Sequence, residues 1–202
     1  GYDDAISPNH RSFVDTVRRH KAVETILRDQ FGMNWIPETI QFKTKGESPL
    51  KEADRKQFKE LDFFEIDLKY RVKATLERTP ETAFFNMKTT TSRVSEERVY
   101  GVVSFKIEGK EYKLNVYQGK ALMTNEAYKD YLFLPFLDDT NSYTTYGGGR
   151  YLDLRIPKGD QLIIDFNKAY NPYCHYNDTY SCPIVPRVNY VTTKINAGVK
   201  AF

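Results

Sequence analysis

The chain has 202 residues, of which 28% are charged and 40% hydrophobic, and its formal net charge at pH 7 is +3. This balance predicts one globular domain with its own core, and the 14% share of aromatic residues favours a β-rich class. The small, evenly mixed charge predicts no nucleic-acid partner, and no apolar run approaches the roughly 20 residues of a transmembrane segment.

The start of the chain predicts an exported protein. The first residue is Gly1 rather than Met, and no charged-then-apolar leader follows it. We therefore expect a targeting peptide to have been removed, which places the protein outside the cytoplasm as a periplasmic, secreted or lipid-anchored molecule. Residues 1–9 carry no periodic pattern and predict a frayed lead-in.

Two helices are predicted in the first 61 residues, which we interpret as an N-terminal helical segment. Apolar residues recur at helical spacing over residues 11–31, and Gly32 stands where a C-cap belongs. A second helix would start with Ser48 as N-cap and Pro49 in the first turn. A polar loop is the alternative there, because few large apolar residues follow.

The period of the pattern then changes from helix to strand. Apolar and polar residues alternate over residues 70–76, 103–107 and 112–116. Glu108, Gly109 and Lys110 lie between the last two runs and predict a β-hairpin. Residues 62–202 are therefore predicted to form a mainly antiparallel β domain, a sandwich or flattened barrel with one or two N-terminal helices at an edge.

Residues 150–156 and 160–167 also read as strands, joined through Pro157-Lys158-Gly159. A three-residue loop of this kind predicts a hairpin, with Leu154 opposite Leu162 on the core face. Asp153 and Asp165 would then be diagonal neighbours on the other face, about 7–8 Å apart. Two carboxylates at that range suit cation binding, an arginine clamp or acid–base catalysis, and simple neutralisation by arginine or solvent is the plainer alternative.

Special-geometry residues surround this predicted hairpin. The triple glycine 147–149 precedes a strand and not a helix, so it predicts a tight turn or close backbone approach more than a phosphate loop. Cys174 and Cys182 are eight positions apart, and a disulfide between them would pin an aliphatic-poor loop. Metal binding and a cysteine nucleophile assisted by His175 stay open as alternatives.

Four motifs in order, LFLPF, YGGGRYLDL, IDFNKAYNPYC and SCP, resemble a bacterial family of unknown function, the domain-of-unknown-function family 1684. The resemblance runs from about Ser48 to Phe202 and is closest over residues 131–183, the signature segment. It implies no chemistry, but shorter members resemble exported proteins of Bacteroidetes-type bacteria. His175 departs from the pattern, where a small residue is usual, which weakens the metal and catalytic-dyad alternatives. The resemblance implies these signature residues: Tyr146, Gly147, Gly149, Arg150, Asp153, Asp165, Asn167, Tyr170, Asn171, Pro172, Cys174 and Cys182.

The expected function is an exported binding or structural module whose polar-aromatic pocket takes a small polar ligand, such as a sugar or peptide fragment. The alternative is a hydrolase that uses Asp153 and Asp165, or Cys174, and the pattern favours a non-enzymatic role. No cofactor or metal is predicted. The predicted ligand-binding residues are Tyr146, Arg150, Tyr151, Asp153, Asp165, Asn167, Tyr170, Asn171 and Tyr173.

Overall fold

A computed structural model describes Phe42, Gly46 and residues 48–202. One α-helix and eight β-strands are present in residues 48–202, joined by short 3₁₀ turns. They are α1 (Glu52–Gln57), β1 (Arg71–Arg78), β2 (Phe85–Lys88), β3 (Val94–Ile107), β4 (Lys110–Gly119), β5 (Tyr131–Asp138), β6 (Arg150–Arg155), β7 (Gln161–Asp165) and β8 (Tyr190–Val191). The predicted mainly β class is confirmed.

The strands form one curled sheet that closes about half of a barrel. Six strands follow the order β6-β5-β4-β3-β1-β7, while β2 pairs with β3, and β8 pairs with β5. The pairings along the six-strand path are antiparallel, whereas β8 runs parallel to β5. In this order β6 and β7, which are consecutive in the chain, occupy the two ends of the path.

The predicted hairpin between β3 and β4 is present. Ile107 pairs with Lys110, so the loop is the dipeptide Glu108-Gly109. Both residues have positive φ, 49° and 82°, which is the geometry whose twist matches that of the flanking strands. Glycine adopts this conformation freely, and this loop fixes the longest pairing in the sheet.

The predicted hairpin between β6 and β7 is wrong. β6 pairs with β5, placing Leu154 opposite Leu132, and β7 pairs with β1, placing Leu162 opposite Ala74. The connection at 156–160 instead crosses between the two end strands, where Arg78 Nη2 donates to the carbonyl oxygens of Pro157 and Gly159. The alternation of apolar and polar residues determines which face of the sheet a side chain lies on. It does not determine which strand becomes the hydrogen-bonded neighbour.

Each face of the sheet covers a separate hydrophobic core. The inner core contains alternate residues of the strands, including Leu132, Leu134 and Phe136 of β5. The outer core contains the residues between them, such as Tyr131 and Phe133, and is covered by the segments at either end of the described chain. Because β5 is buried on both faces, its sequence is a continuous apolar run without alternation.

The described N-terminal part is short and packs on the outer core. Helix α1 begins at Glu52 and not near Ser48, whose hydroxyl accepts the Leu50 N–H and forms a turn instead of a cap. Leu50 and Phe58 flank the helix and are both buried in the outer core. The predicted helix at 11–31 lies outside the described residues, so the helical nature of the first 61 residues stays a prediction. No helix in the described part is long and apolar enough to span a membrane.

Candidate functional site

The signature segment is anchored by a fully buried ion pair. Arg150 Nη2 lies 2.6 Å from Asp138 Oδ2, and neither side chain is exposed to solvent. Arg150 also donates to the carbonyl oxygens of Ile195 and Ala197 in the C-terminal segment. Arg150 was predicted to bind ligand, but both terminal nitrogens are engaged within the protein, and its Nε is buried without a hydrogen-bond partner among the described residues. It ties strand β6 to the end of β5 and to the last residues of the chain.

A polar turn follows this ion pair and shapes the loop at 139–149. The Asn141 side chain accepts the Asp138 N–H at 2.7 Å and donates to the Tyr146 carbonyl oxygen at 3.0 Å. Gly149 ends the loop with φ +89°, and a Cβ atom there would lie 2.6 Å from the Phe136 carbonyl oxygen. The signature glycine therefore permits the close backbone approach expected from the sequence.

An open groove of about 670 Å³ lies between this loop and the segment at 184–190. Its lining residues are Leu137, Asp138, Asp139, Asn141, Tyr143, Gly147, Gly148, Ile184, Val185, Arg187 and Tyr190. The groove lies against the signature segment. Among the described residues, however, none of the nine predicted ligand-binding side chains lines it.

The groove presents aromatic faces and hydrogen-bond donors to solvent. Tyr143 is 85% exposed and Tyr190 43% exposed, and the Tyr190 hydroxyl donates to Asp139. Arg187 is exposed and forms no ion pair with any residue that the structure describes. The combination of flat rings with a free cation is typical of polar ligand sites.

Asp153 forms a buried cluster with two tyrosines on the outer face of β6. The Tyr131 and Tyr170 hydroxyls donate to its Oδ1 at 2.8 and 2.7 Å. The residue as a whole is partly exposed, but its Oδ2 is buried and has no hydrogen-bond partner in the described part of the chain. Burial raises the pKa of Asp153 to about 7, against the opposing effect of the two phenols.

Asp165 lies across a small cleft from Asp153. This cleft of about 190 Å³ is lined by both aspartates together with Arg71, Lys168 and neighbouring strand residues. The predicted diagonal arrangement within a hairpin is wrong, because that hairpin does not exist. The curl of the sheet nevertheless brings the two end strands to one cleft.

The side chain of Asp165 is engaged in local structure. Its Oδ1 accepts the backbone N–H of Asn167 at 3.1 Å and the side-chain amide of Asn167 at 3.0 Å. Asn167 in turn donates to the Asp67 carbonyl oxygen and accepts the Asp67 N–H. These bonds fasten the end of β7 to the residues that precede β1, which is a structural role.

Three further predicted ligand-binding residues are buried. The Tyr151 hydroxyl donates to the Pro183 carbonyl oxygen, and the Asn171 amide donates to the Lys200 carbonyl oxygen at 2.9 Å. The Tyr173 ring packs edge-on against Tyr180, with 5.3 Å between centroids. These side chains hold the segments that cover the outer core.

The two cysteines lie together beside the remaining predicted residue, Tyr146. Both are free thiols in the structure, and the Cys174 N–H lies 3.1 Å from Cys182 Sγ. The Tyr146 ring stacks on His175, with 4.2 Å between centroids. Burial lowers the pKa of His175 to about 4, so the imidazole is neutral at pH 7, and its Nε2 accepts the Phe202 N–H. No group of three or more possible metal-ligating side chains occurs within the described residues.

The predicted site residues therefore divide among separate places and do not form one pocket. The sequence interpretation missed Tyr143, Arg187 and Tyr190, which come together only in the fold. The sequence did contain a signal for Tyr143, because this residue lies in a polar loop before the triple glycine. Arg187 and Tyr190 follow the signature segment, where no motif marked them.

The fold and these clusters define a β-rich half-barrel with a groove over its signature segment. A family model described as protein of unknown function (DUF1684) matches residues 56–200, and the chain belongs to this family. The resemblance stated from the four motifs is confirmed.

A solved structure extends the comparison. The solution NMR structure of an uncharacterised protein from Haloarcula marismortui has a TM-score of 0.66 and 30% sequence identity to this chain. The match covers 91% of this chain and 97% of the other. None of the curated proteins compared with this chain matches it.

Proposed function

We propose that this protein is a binding module whose groove, over the loop 139–149, takes a small polar ligand such as a sugar or a peptide fragment. The observation that carries the proposal is the pairing of exposed aromatic rings with uncommitted donors in one concave surface. The groove volume of about 670 Å³ lies within the range of roughly 300–1,000 Å³ that is usual for small-molecule sites.

The aromatic rings supply the apolar part of such a site. Tyr143 is 85% exposed. When a ligand covers an exposed tyrosine ring, apolar surface leaves water, and this makes the free energy of binding more favourable. Tyr190 is held by its hydrogen bond to Asp139, so its ring is oriented before a ligand arrives. A pre-oriented side chain reduces the entropy that binding must overcome.

The polar part consists of donors that no described residue of the protein engages. Arg187 has no ion-pair partner among the described residues, and the Gly147 and Gly148 N–H groups make no hydrogen bond there. Ligand hydroxyl, carbonyl or carboxylate oxygens are the acceptors that suit these groups. Sugars and peptide fragments both carry such acceptors beside flat or compact apolar surfaces.

The hydrolase alternative has weaker support from the geometry. It requires carboxylates that are free to act on a substrate, whereas Asp153 accepts from two phenols and Asp165 from Asn167. His175 follows Cys174 in the chain, but burial lowers its pKa to about 4, which makes it a weak base, and its Nε2 already accepts the Phe202 N–H. We therefore place binding ahead of hydrolysis in the proposal.

Calorimetric titration of a panel of saccharides and short peptides tests the proposal. For a ligand that binds, we expect Tyr143→Ala and Arg187→Met each to weaken affinity about tenfold or more, since truncation of a central aromatic or arginine costs about 1–2 kcal/mol. Val188→Ala is the matched control, because Val188 is 62% exposed beside the groove but does not line it. If all three variants bound the ligand with the affinity of the wild type, the proposed site would be contradicted.

A location outside the cytoplasm remains part of the proposal and rests on the sequence. Fractionation of cells that express the natural gene is the direct measurement. Recovery of the protein in the periplasmic, membrane-anchored or secreted fraction is the expected result, and recovery with cytoplasmic markers alone would contradict it.

A further inference from the structure

The two cysteines occupy unlike environments although they touch. Cys174 is partly exposed, whereas Cys182 is 0% exposed. Their contact is fixed by the backbone: the Cys174 N–H lies 3.1 Å from Cys182 Sγ, and the Cys182 N–H donates to Thr90 Oγ1 at 3.1 Å. The two thiols lie close enough to hydrogen-bond to each other.

Neighbouring residues hold the buried cysteine firmly. Arg93 donates through Nε and Nη2 to the side chain and carbonyl oxygen of Ser181, the residue before Cys182. The Thr90 N–H donates to the Cys182 carbonyl oxygen at 2.9 Å. The segment that carries Cys182 is thus fastened to the loop after β2, and only Cys174 faces solvent.

The polar groups around the pair favour charge on the outer sulfur. Hydrogen bonding with the Cys182 thiol lowers the pKa of Cys174 to about 7, and Thr90 and Tyr146 act in the same direction. The interaction with Cys174, together with burial, raises the pKa of Cys182. A thiolate is the reacting form of cysteine, so at neutral pH the outer sulfur is the nucleophile of the pair.

We infer that Cys174 and Cys182 form a thiol–disulfide couple that exchanges with low-molecular-weight disulfides, with Cys174 as the attacking thiol and Cys182 as the resolving one. The Cys174 thiol releases its proton to solvent, and the thiolate attacks one sulfur of the small disulfide. The S–S bond of that disulfide breaks and releases one thiolate, which takes up a proton from solvent. Cys182 then attacks the Cys174 sulfur, its proton passes to the departing second thiolate, and the internal bond closes. The protein loses two electrons and two protons, and the small disulfide becomes two thiols.

Reaction of the reduced protein with glutathione disulfide, followed by intact-mass measurement, tests the couple. The wild type is expected to lose two hydrogens without retaining a glutathionyl group. Cys182→Ala is expected to accumulate one glutathionyl group, because the mixed disulfide on Cys174 has no resolving thiol. Cys174→Ala is expected to react with glutathione disulfide at least about tenfold more slowly than the wild type, because Cys182 is buried.

A measurement on the unaltered protein guards against misfolded variants. Brief alkylation of the reduced wild type, followed by peptide mapping, is expected to label Cys174 well before Cys182. Labelling of both residues at one rate overturns the inference. A stable glutathione adduct on the wild type, with no internal bond, overturns it as well. The outcome is independent of any ligand in the groove, so it does not decide the proposed binding function.

Discussion

Strand β6 carries two buried polar centres that differ in how their charge is balanced. Arg150, at its start, faces Asp138 at 2.6 Å, and both side chains are fully buried. Asp153, three residues later, accepts from two phenol hydroxyls and forms no ion pair with any residue that the structure describes. The first centre keeps opposite charges together, while the second holds a carboxyl group whose pKa rises to about 7.

The difference separates a permanent anchor from a group that titrates. A buried ion pair is costly to break from one side. A buried carboxyl group whose hydrogen bonds come from neutral donors loses its proton reluctantly when burial outweighs the nearby charges, and stability then depends on pH. The ion pair is closed off from solvent, whereas Asp153 also lines the small cleft that it shares with Asp165.

Removal of the anchor should have the largest effect. Arg150→Met leaves Asp138 buried without its cation, and we expect a loss of about 3–5 kcal/mol in the free energy of unfolding. Urea denaturation measures it. Arg155→Met is the matched control on the same strand, because its ion pair with Asp130 is exposed and should contribute under about 1 kcal/mol. If both variants lost a similar free energy of unfolding, the buried pair would be no more important for stability than the exposed one.

The titrating centre should appear in the pH dependence of stability. The folded pKa of Asp153 is raised to about 7 from 3.8, so between these values the unfolded chain loses a proton that the folded protein keeps. The contribution of Asp153 to stability therefore falls as pH rises through this window and levels off above it. Asparagine resembles the protonated form of Asp153. The free energy of unfolding of Asp153→Asn, relative to that of the wild type, should therefore rise by up to about 4 kcal/mol between pH 4 and pH 7. A constant difference between the two proteins would contradict the raised pKa.

A smaller change should tune the same centre. Tyr170→Phe removes one phenol donor from Asp153 while its ring and backbone pairing with Tyr151 can remain. We expect a loss of about 1–2 kcal/mol and a further rise in the pKa of Asp153, because the lost hydrogen bond favoured the charged form. A carboxyl NMR titration follows the pKa directly, and an unchanged midpoint would show that the bond has no such effect.

The smallest effect on stability is expected at the groove. Tyr143→Ala and Arg187→Met alter exposed side chains that hold no other part of the described chain in place, so the free energy of unfolding should change by less than about 0.5 kcal/mol. Thermal and urea denaturation both report it. A loss of 2 kcal/mol or more in either variant would mean that the groove is structural, as the two centres on β6 are.

The alternating pattern was sufficient to predict the strands that are half-buried. β1, β3, β4, β6 and β7 all lie where apolar and polar residues alternate, and Glu108-Gly109 located one hairpin. It could not predict the pairing of β6 and β7, since the inward-facing apolar residues suit either neighbour. β5 escaped prediction as a strand because burial on both faces removes the alternation, and Pro135 interrupts the run.

The site was harder to predict than the fold for a physical reason. The signature segment marks residues such as Arg150 and Asn167, whose hydrogen bonds hold distant segments together. Such residues are as distinctive in sequence as ligand-binding ones. The groove instead combines Tyr143 with Arg187, which are far apart in the chain and meet only because β8 pairs with β5.

Chemical-shift mapping of a bound ligand tests the central claim most directly. With a ligand found by calorimetry, ¹H–¹⁵N NMR spectra should show perturbed backbone amides at Tyr143, Gly147, Gly148, Arg187 and Tyr190. Amides around the cleft between Asp153 and Asp165 should stay unchanged. Perturbations centred on that cleft, with the groove amides unaffected, would contradict the account and return the two carboxylates to the functional site.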